Sequence, residues 1–204
     1  MNPKVTPLKL CFKGERNYLQ GGDLCNAVME AVGGSSVGEA VRFQLAFHRF
    51  IAKQPDMVWL EGYKPSSRPE NVAADFAVSG SMGKASGWLV ETDREVDCRI
   101  PFDEERIARH CRFAGESVSI LADSGYLPIE VAVSMTKQLH NRLLPAPSGR
   151  WIFTKLDLSR YLGAGDASAL TITLKQNLHG RLTKSEINVH GRSLGFIYFS
   201  LVRR

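Results

Sequence analysis

Residues 41–51, VRFQLAFHRFI, alternate strictly: Val41, Phe43, Leu45 and Phe47 fall on one side of an extended chain, Arg42, Gln44, Ala46 and His48 on the other. Alternation of period two over that length predicts a strand with one face on a core. KVTPLKLCFKG reads as an earlier strand with Leu8 and Leu10 on one face, frayed at its start by prolines. DMVWLEGY and NVAADFAVSG read as further strands on either side of the loop KPSSRPEN, and WLVETDREVDCRIPF as two strands about a polar turn. One stretch of this half changes period. After Gly21-Gly22, the residues Leu24, Ala27, Val28, Ala31 and Val32 recur at helical spacing, and Gly33-Gly34 stops the helix.

The second half repeats the order. A linker, DEERIARHC, leads into FAGESVSILADSG and then a helix from about Tyr126 to Leu144. Ala132, Met135, Leu139 and Leu143 line one side of that helix; Glu130, Ser134, Lys137 and Asn141 line another. PAPSG ends it, RWIFTKLDLSRYL reads as a strand or two, and ALTITLKQNL alternates cleanly. KSEINVHGRSLGFIYFSLV closes as a hairpin about His190-Gly191. Phe12-x-Gly14-Glu15 and Phe113-x-Gly115-Glu116 stand at corresponding points, and RFQLAFHRF and RWIFTKLDL each follow a helix. The pattern predicts a folding unit written twice, over residues 1–102 and 103–204, each with one helix and four or five strands. A coincidental α+β layout is the alternative.

Composition is ordinary for a globular chain of 204 residues, 44% hydrophobic and 23% charged. No run approaches the roughly 18 apolar residues of a membrane span, and MNPKVTPLKLCFKGER has none of the parts of a secretory signal. The expectation is a soluble, cytoplasmic protein. Its four cysteines, Cys11, Cys25, Cys98 and Cys111, show no C-x-x-C spacing and no histidine at metal-site spacing, so they read as reduced thiols with no metal. The first 102 residues are charge-balanced, and the whole excess of +5 falls in the second half. That bias suits an anionic partner, such as a carrier protein, coenzyme A or nucleic acid. Aromatic and basic residues are not interleaved as a single-strand platform requires, which counts against nucleic acid.

A helix with an apolar face followed by an antiparallel meander must bury that face against the sheet. This layout resembles the hotdog fold, a curved antiparallel sheet wrapped around one central helix, and two units in one chain resemble the double-hotdog enzymes. Two segments carry the likeness in residues. Gly22-Asp23-Leu24-Cys25-Asn26-Ala27-Val28 is similar to the helix start of hotdog acyl-thioesterases, with Asp23 at the place of the family's histidine and Leu19 at that of its acid. Tyr126-Leu127-Pro128-Ile129-Glu130-Val131-Ala132 is similar to the acid-bearing helix of hydroxyacyl-thioester dehydratases, with Glu130 at the acid's place and no histidine before it. The resemblance implies a dehydratase or thioesterase acting on acyl groups carried by coenzyme A or an acyl carrier protein, without a cofactor. It also implies a pairing of units that leaves room for homo- or hetero-oligomers.

Thioester chemistry needs donors for the thioester oxygen and an acid or base near the reacting carbon. A helix N-terminus supplies donors, and Gly21-Gly22 and Ser124-Gly125 let a carbonyl approach closely. Gly21, Gly22, Asn26, Ser124 and Gly125 are therefore the candidate substrate-binding residues, and Asp23 and Glu130 the candidate catalytic ones. Against each stands a plainer role: Asp23 as an N-cap, Glu130 as a dipole-favoured acid facing water. His48, His110, His140, His179 and His190 read as surface residues, and VSGSMGKAS as a strand connection without the P-loop spacing. Cys25 sits in a first turn, but its apolar surroundings argue against a nucleophile. Where the family histidines are replaced, a hotdog protein that only binds acyl groups, or completes a heteromeric partner, is the rival reading.

Overall fold

The alternating runs become strands that pair with antiparallel neighbours. The computed structural model describes residues 3–33, 40–62, 68–81, 83–145 and 149–203. Gly34 at the expected helix stop, residues 64–67 of KPSSRPEN, Met82 of VSGSMGKAS and residues 146–148 of PAPSG lie outside them. The chain divides into two units, Met1–Phe102 with Ser159–Tyr161, and Asp103–Leu158 with Leu162–Arg204.

In the first unit the elements are β1 (Lys4–Pro7), β2 (Phe12–Lys13), α1 (Gly21–Gly33), β3 (Ala40–Phe47), β4 (Pro55–Glu61), β5 (Val72–Gly80), β6 (Lys84–Glu91) and β7 (Arg99–Ile100). Five of the strands run in the order β1-β4-β6-β5-β3, each antiparallel to its neighbour. Phe43 and Leu45 of β3, Met57 and Trp59 of β4, Phe76 and Val78 of β5 and Trp88 and Leu89 of β6 are buried. Helix α1 lies against β3 and buries Leu24, Cys25, Val28 and Val32. The expected strand KVTPLKLCFKG is two strands: Leu8 leaves β1 to bond Pro55, and β2 instead pairs in parallel with β7.

That small parallel pair corrects the reading of the cysteines. Phe12 is in register with Arg99, so the residues just before them, Cys11 and Cys98, come within a Cα separation of 4.8 Å and form a disulfide. Cys25 and Cys111 are free thiols, as expected of all four.

The second unit contains α2 (Glu104–Arg109), β8 (Cys111–Ala114), β9 (Ser117–Ile120), α3 (Pro128–Leu143), β10 (Gly149–Leu158), a 3-10 turn at Ala164–Asp166, β11 (Leu170–Leu178), β12 (Leu182–Val189) and β13 (Arg192–Arg203). Its strands run β10-β13-β12-β11-β9-β8, again antiparallel throughout. Helix α3 packs on β9, β10, β11 and α2. The segment expected as a linker is α2, capped by Asp103, whose carboxylate accepts from the N–H groups of Glu105 and Arg106. The expected hairpin about His190-Gly191 is present; both residues have positive φ, 49° and 76°, which a two-residue turn of matching twist demands.

Helix α3 is enclosed on more than its apolar side. Ile129, Val131, Ala132, Met135 and Leu139 are buried, but so are Glu130, Ser134, Thr136 and His140. Two of these polar groups bond within the helix itself. Thr136 Oγ1 donates to the Ala132 carbonyl at 2.7 Å, and Gln138 Nε2 donates to Ser134 Oγ at 3.1 Å. Asn141 and Arg142 emerge at the far end. Among the described residues no helix is long and apolar enough to cross a membrane.

Candidate functional site

The glycine pair Gly21-Gly22 opens α1, with Gly22 buried, and Gln20 accepts the first helical bond from Leu24. Asp23 is thus the third helical residue rather than the cap. Its carboxylate forms an ion pair with the Lys13 ammonium, and both side chains are nearly closed off from solvent, at 12% and 9% exposed. Lys13 reaches the helix because β2 is held beside β7, and its ammonium also lies 5.5 Å from the centre of the Phe102 ring. A buried pair like this one is matched in charge, and losing either partner strands the other.

One turn further on, Asn26 Oδ1 accepts a hydrogen bond from the Tyr161 hydroxyl at 2.6 Å. Asn26 Nδ2 is buried and has no hydrogen-bond partner. Tyr161 stacks edge-on against Phe43 at 5.1 Å, and burial, with the nearby Cys25 thiol, pushes its hydroxyl far up, so it keeps its proton. Cys25 is fully buried; its thiol is pushed up first by burial and then by the Asp23 charge, which removes it as a nucleophile.

At the start of α3, Glu130 is 5% exposed and does not face water. Its Oε2 accepts from the Leu127 N–H at 2.9 Å, tying off the turn ahead of the helix. Ser124 is fully buried with its Oγ lacking a partner. The Gly125 N–H donates to Asp123 Oδ1 at 2.8 Å, and φ of 76° is the local reason for glycine there. The far end of α3 holds a side chain the sequence reading placed at the surface. His140 is fully buried against Trp151 and Phe199, at ring distances of 4.9 and 5.2 Å, with Nε2 3.5 Å from Ser185 Oγ and Nδ1 unpartnered. Burial pushes its pKa down to about 4.

Gly21, Gly22, Asp23 and Asn26 are therefore gathered at one helix start in the first unit, and Ser124, Gly125 and Glu130 at one in the second. The sequence reading missed Lys13 and Tyr161. Lys13 falls among the polar positions of an alternating segment, where a lysine reads as solvated; Tyr161 belongs to RWIFTKLDLSRYL, read as a strand or two, but lies three residues past the strand, which ends at Leu158. Among the described residues no group of three or more His, Cys, Asp or Glu side chains is placed to hold a metal.

No protein-family model matches the chain, and no curated protein matches it in sequence. Solved structures do. A protein described as a thioesterase II from Thermobifida fusca superposes with a TM-score of 0.50 at 12% identity, over 100% of this chain and 92% of that one. The dehydratase domain of PpsC from Mycobacterium tuberculosis, solved in complex with C12:1-CoA, gives 0.50 at 8% identity over 98% and 93%. The pyran synthase domain from module nine of the sorangicin pathway gives 0.50 at 10% over 99% and 92%. Likeness at such identities defines a fold. The chain has the hotdog fold.

Proposed function

We propose that this chain is a double-hotdog protein, each unit a curved antiparallel sheet around one helix, and that it hydrolyses acyl thioesters of coenzyme A or an acyl carrier protein. The tandem reading is supported by the single long helix in each unit and by a recurring turn: Gly14 and Gly115, at corresponding points of the repeat, have φ of 55° and 54°. The observation that carries the reaction is the enclosed Asp23 carboxylate, paired with Lys13, with a buried amide donor three residues along the same helix. The Lys13 ammonium beside it keeps this carboxylate ionised, the form that can take a proton. Asp23 then takes a proton from water as the water oxygen bonds the thioester carbon. The carbonyl electrons move onto oxygen, where first-turn N–H groups of α1 stabilise them. Collapse reforms the carbonyl and breaks the C–S bond, and the departing thiolate takes the proton back from Asp23. The acyl-thioester proteins of the same fold, one of them solved with C12:1-CoA, support this substrate class.

Dehydration of a hydroxyacyl thioester is the second reading, favoured by Glu130, whose carboxyl group is enclosed at the start of α3. Thiol release from a panel of acyl-CoA substrates, run beside hydration of 2-enoyl-CoA, separates the two. Hydrolysis is expected, with kcat falling about 10²- to 10⁴-fold in Asp23→Asn. The pair Lys13→Gln with Asp23→Asn should fall equally while leaving no stranded buried charge. Full turnover in both variants removes Asp23 from the mechanism. Wild-type protein that binds acyl-CoA and never turns it over is the non-catalytic acyl-binding protein instead.

A further inference from the structure

Asn26 has one end of its carboxamide committed and the other free. The Tyr161 hydroxyl donates to Oδ1 at 2.6 Å, which fixes the amide plane and leaves Nδ2 as a buried donor without an acceptor. Buried donors are almost always bonded, and one left unmade is destabilising. The first unit thus holds a donor whose natural complement is an oxygen brought from elsewhere. The choice of tyrosine supports this: with Phe43 against its ring and its hydroxyl kept protonated, Tyr161 donates under all ordinary conditions and so holds Asn26 in one orientation. Tyr161 stands 135 positions from Asn26, yet the Ser159–Tyr161 segment belongs to the first unit.

We infer that the Tyr161 hydroxyl orients the Asn26 carboxamide so that Nδ2 donates to the carbonyl oxygen of the bound acyl thioester. Asn26 touches the substrate; Tyr161 acts through Asn26 and is a positioning residue. The inference rests on the acyl-thioester reading but not on which reaction follows, because both reactions polarise the same carbonyl. The side-chain donor adds to those of the helix start, and it strengthens as charge grows on the oxygen.

The test is calorimetric binding of two inert ligands of equal chain length to the intact protein: a ketone analogue of acyl-CoA, with CH2 replacing sulfur, and the S-alkyl-CoA thioether, which has no carbonyl. Wild-type protein should bind the ketone about five- to tenfold tighter. Asn26→Leu should bind the two alike, and Tyr161→Phe, which removes only a hydroxyl, should lose most of the preference. If Asn26→Leu does not fold, Asn26→Asp, of the same shape without the donor, takes its place. In turnover, Tyr161→Phe should raise KM by about the factor lost in ketone binding and lower kcat as well, because the donor strengthens as charge grows on the oxygen. Equal wild-type binding of the two ligands overturns the inference and leaves the acyl-thioester reading standing, as does a preference that survives Asn26→Leu or Tyr161→Phe. Wild-type protein that binds neither ligand overturns both.

Discussion

His140 gives the second unit a built-in sensitivity to acid. The unfolded chain takes up a proton on this side chain near pH 6.5, whereas the folded protein resists until about pH 4, because the site among Trp151, Phe199 and Ser185 is dry. Protons therefore favour unfolding between those values. The stability held above pH 6.5 is lost as pH falls, by roughly 3 kcal/mol from this group once pH 4 is passed. Urea unfolding across pH 4–7 should show that slope, and His140→Leu should flatten it. Such a residue is hard to read from sequence, since a histidine beside Asn141 and Arg142 looks like part of a solvated helix end. The place of Asp23 and Asn26 near a helix start was legible because a glycine pair before a helical period marks where a helix begins. Their partners were not, because Lys13 and Tyr161 arrive through tertiary placement that no local spacing encodes.

At the scale of elements, strands with clean alternation were legible, and the partners of the short ones were not. RWIFTKLDLSRYL and ALTITLKQNL became β10 and β11, since period-two burial specifies both state and face. The stretch WLVETDREVDCRIPF yields the two strands expected of it, β6 and the two-residue β7, but β7 pairs with β2 rather than with β6. Turns divide the same way. Gly191 needs only its positive φ and has open space around the Cβ position, so Gly191→Ala should cost about 1 kcal/mol. Gly195 in β13 has φ of 141°, and a Cβ there would stand 2.0 Å from the Asp157 carbonyl of β10. Gly195→Ala must push two paired strands apart and should cost roughly 2–5 kcal/mol. Thermal unfolding of the two variants side by side checks the ordering.

At the scale of the molecule, the chain divides into two units, each with strands before and after one long helix, and α2 is an additional helix in the second. The bridge between Cys11 and Cys98 was not readable. The two lie 87 residues apart, and only the parallel register of β2 with β7 brings them together. A closed loop of that length contributes about 4.6 kcal/mol by restricting the unfolded chain. Thiol titration of the denatured, unreduced protein should therefore find two reactive cysteines, with four appearing after reduction. A count of four before reduction would remove the bridge. The covalent ring so formed includes α1 and β2 through β6. A protease that nicks the backbone once inside this ring opens it without releasing a fragment. The cut protein should migrate as one species until a reductant is added, and only then come apart into two.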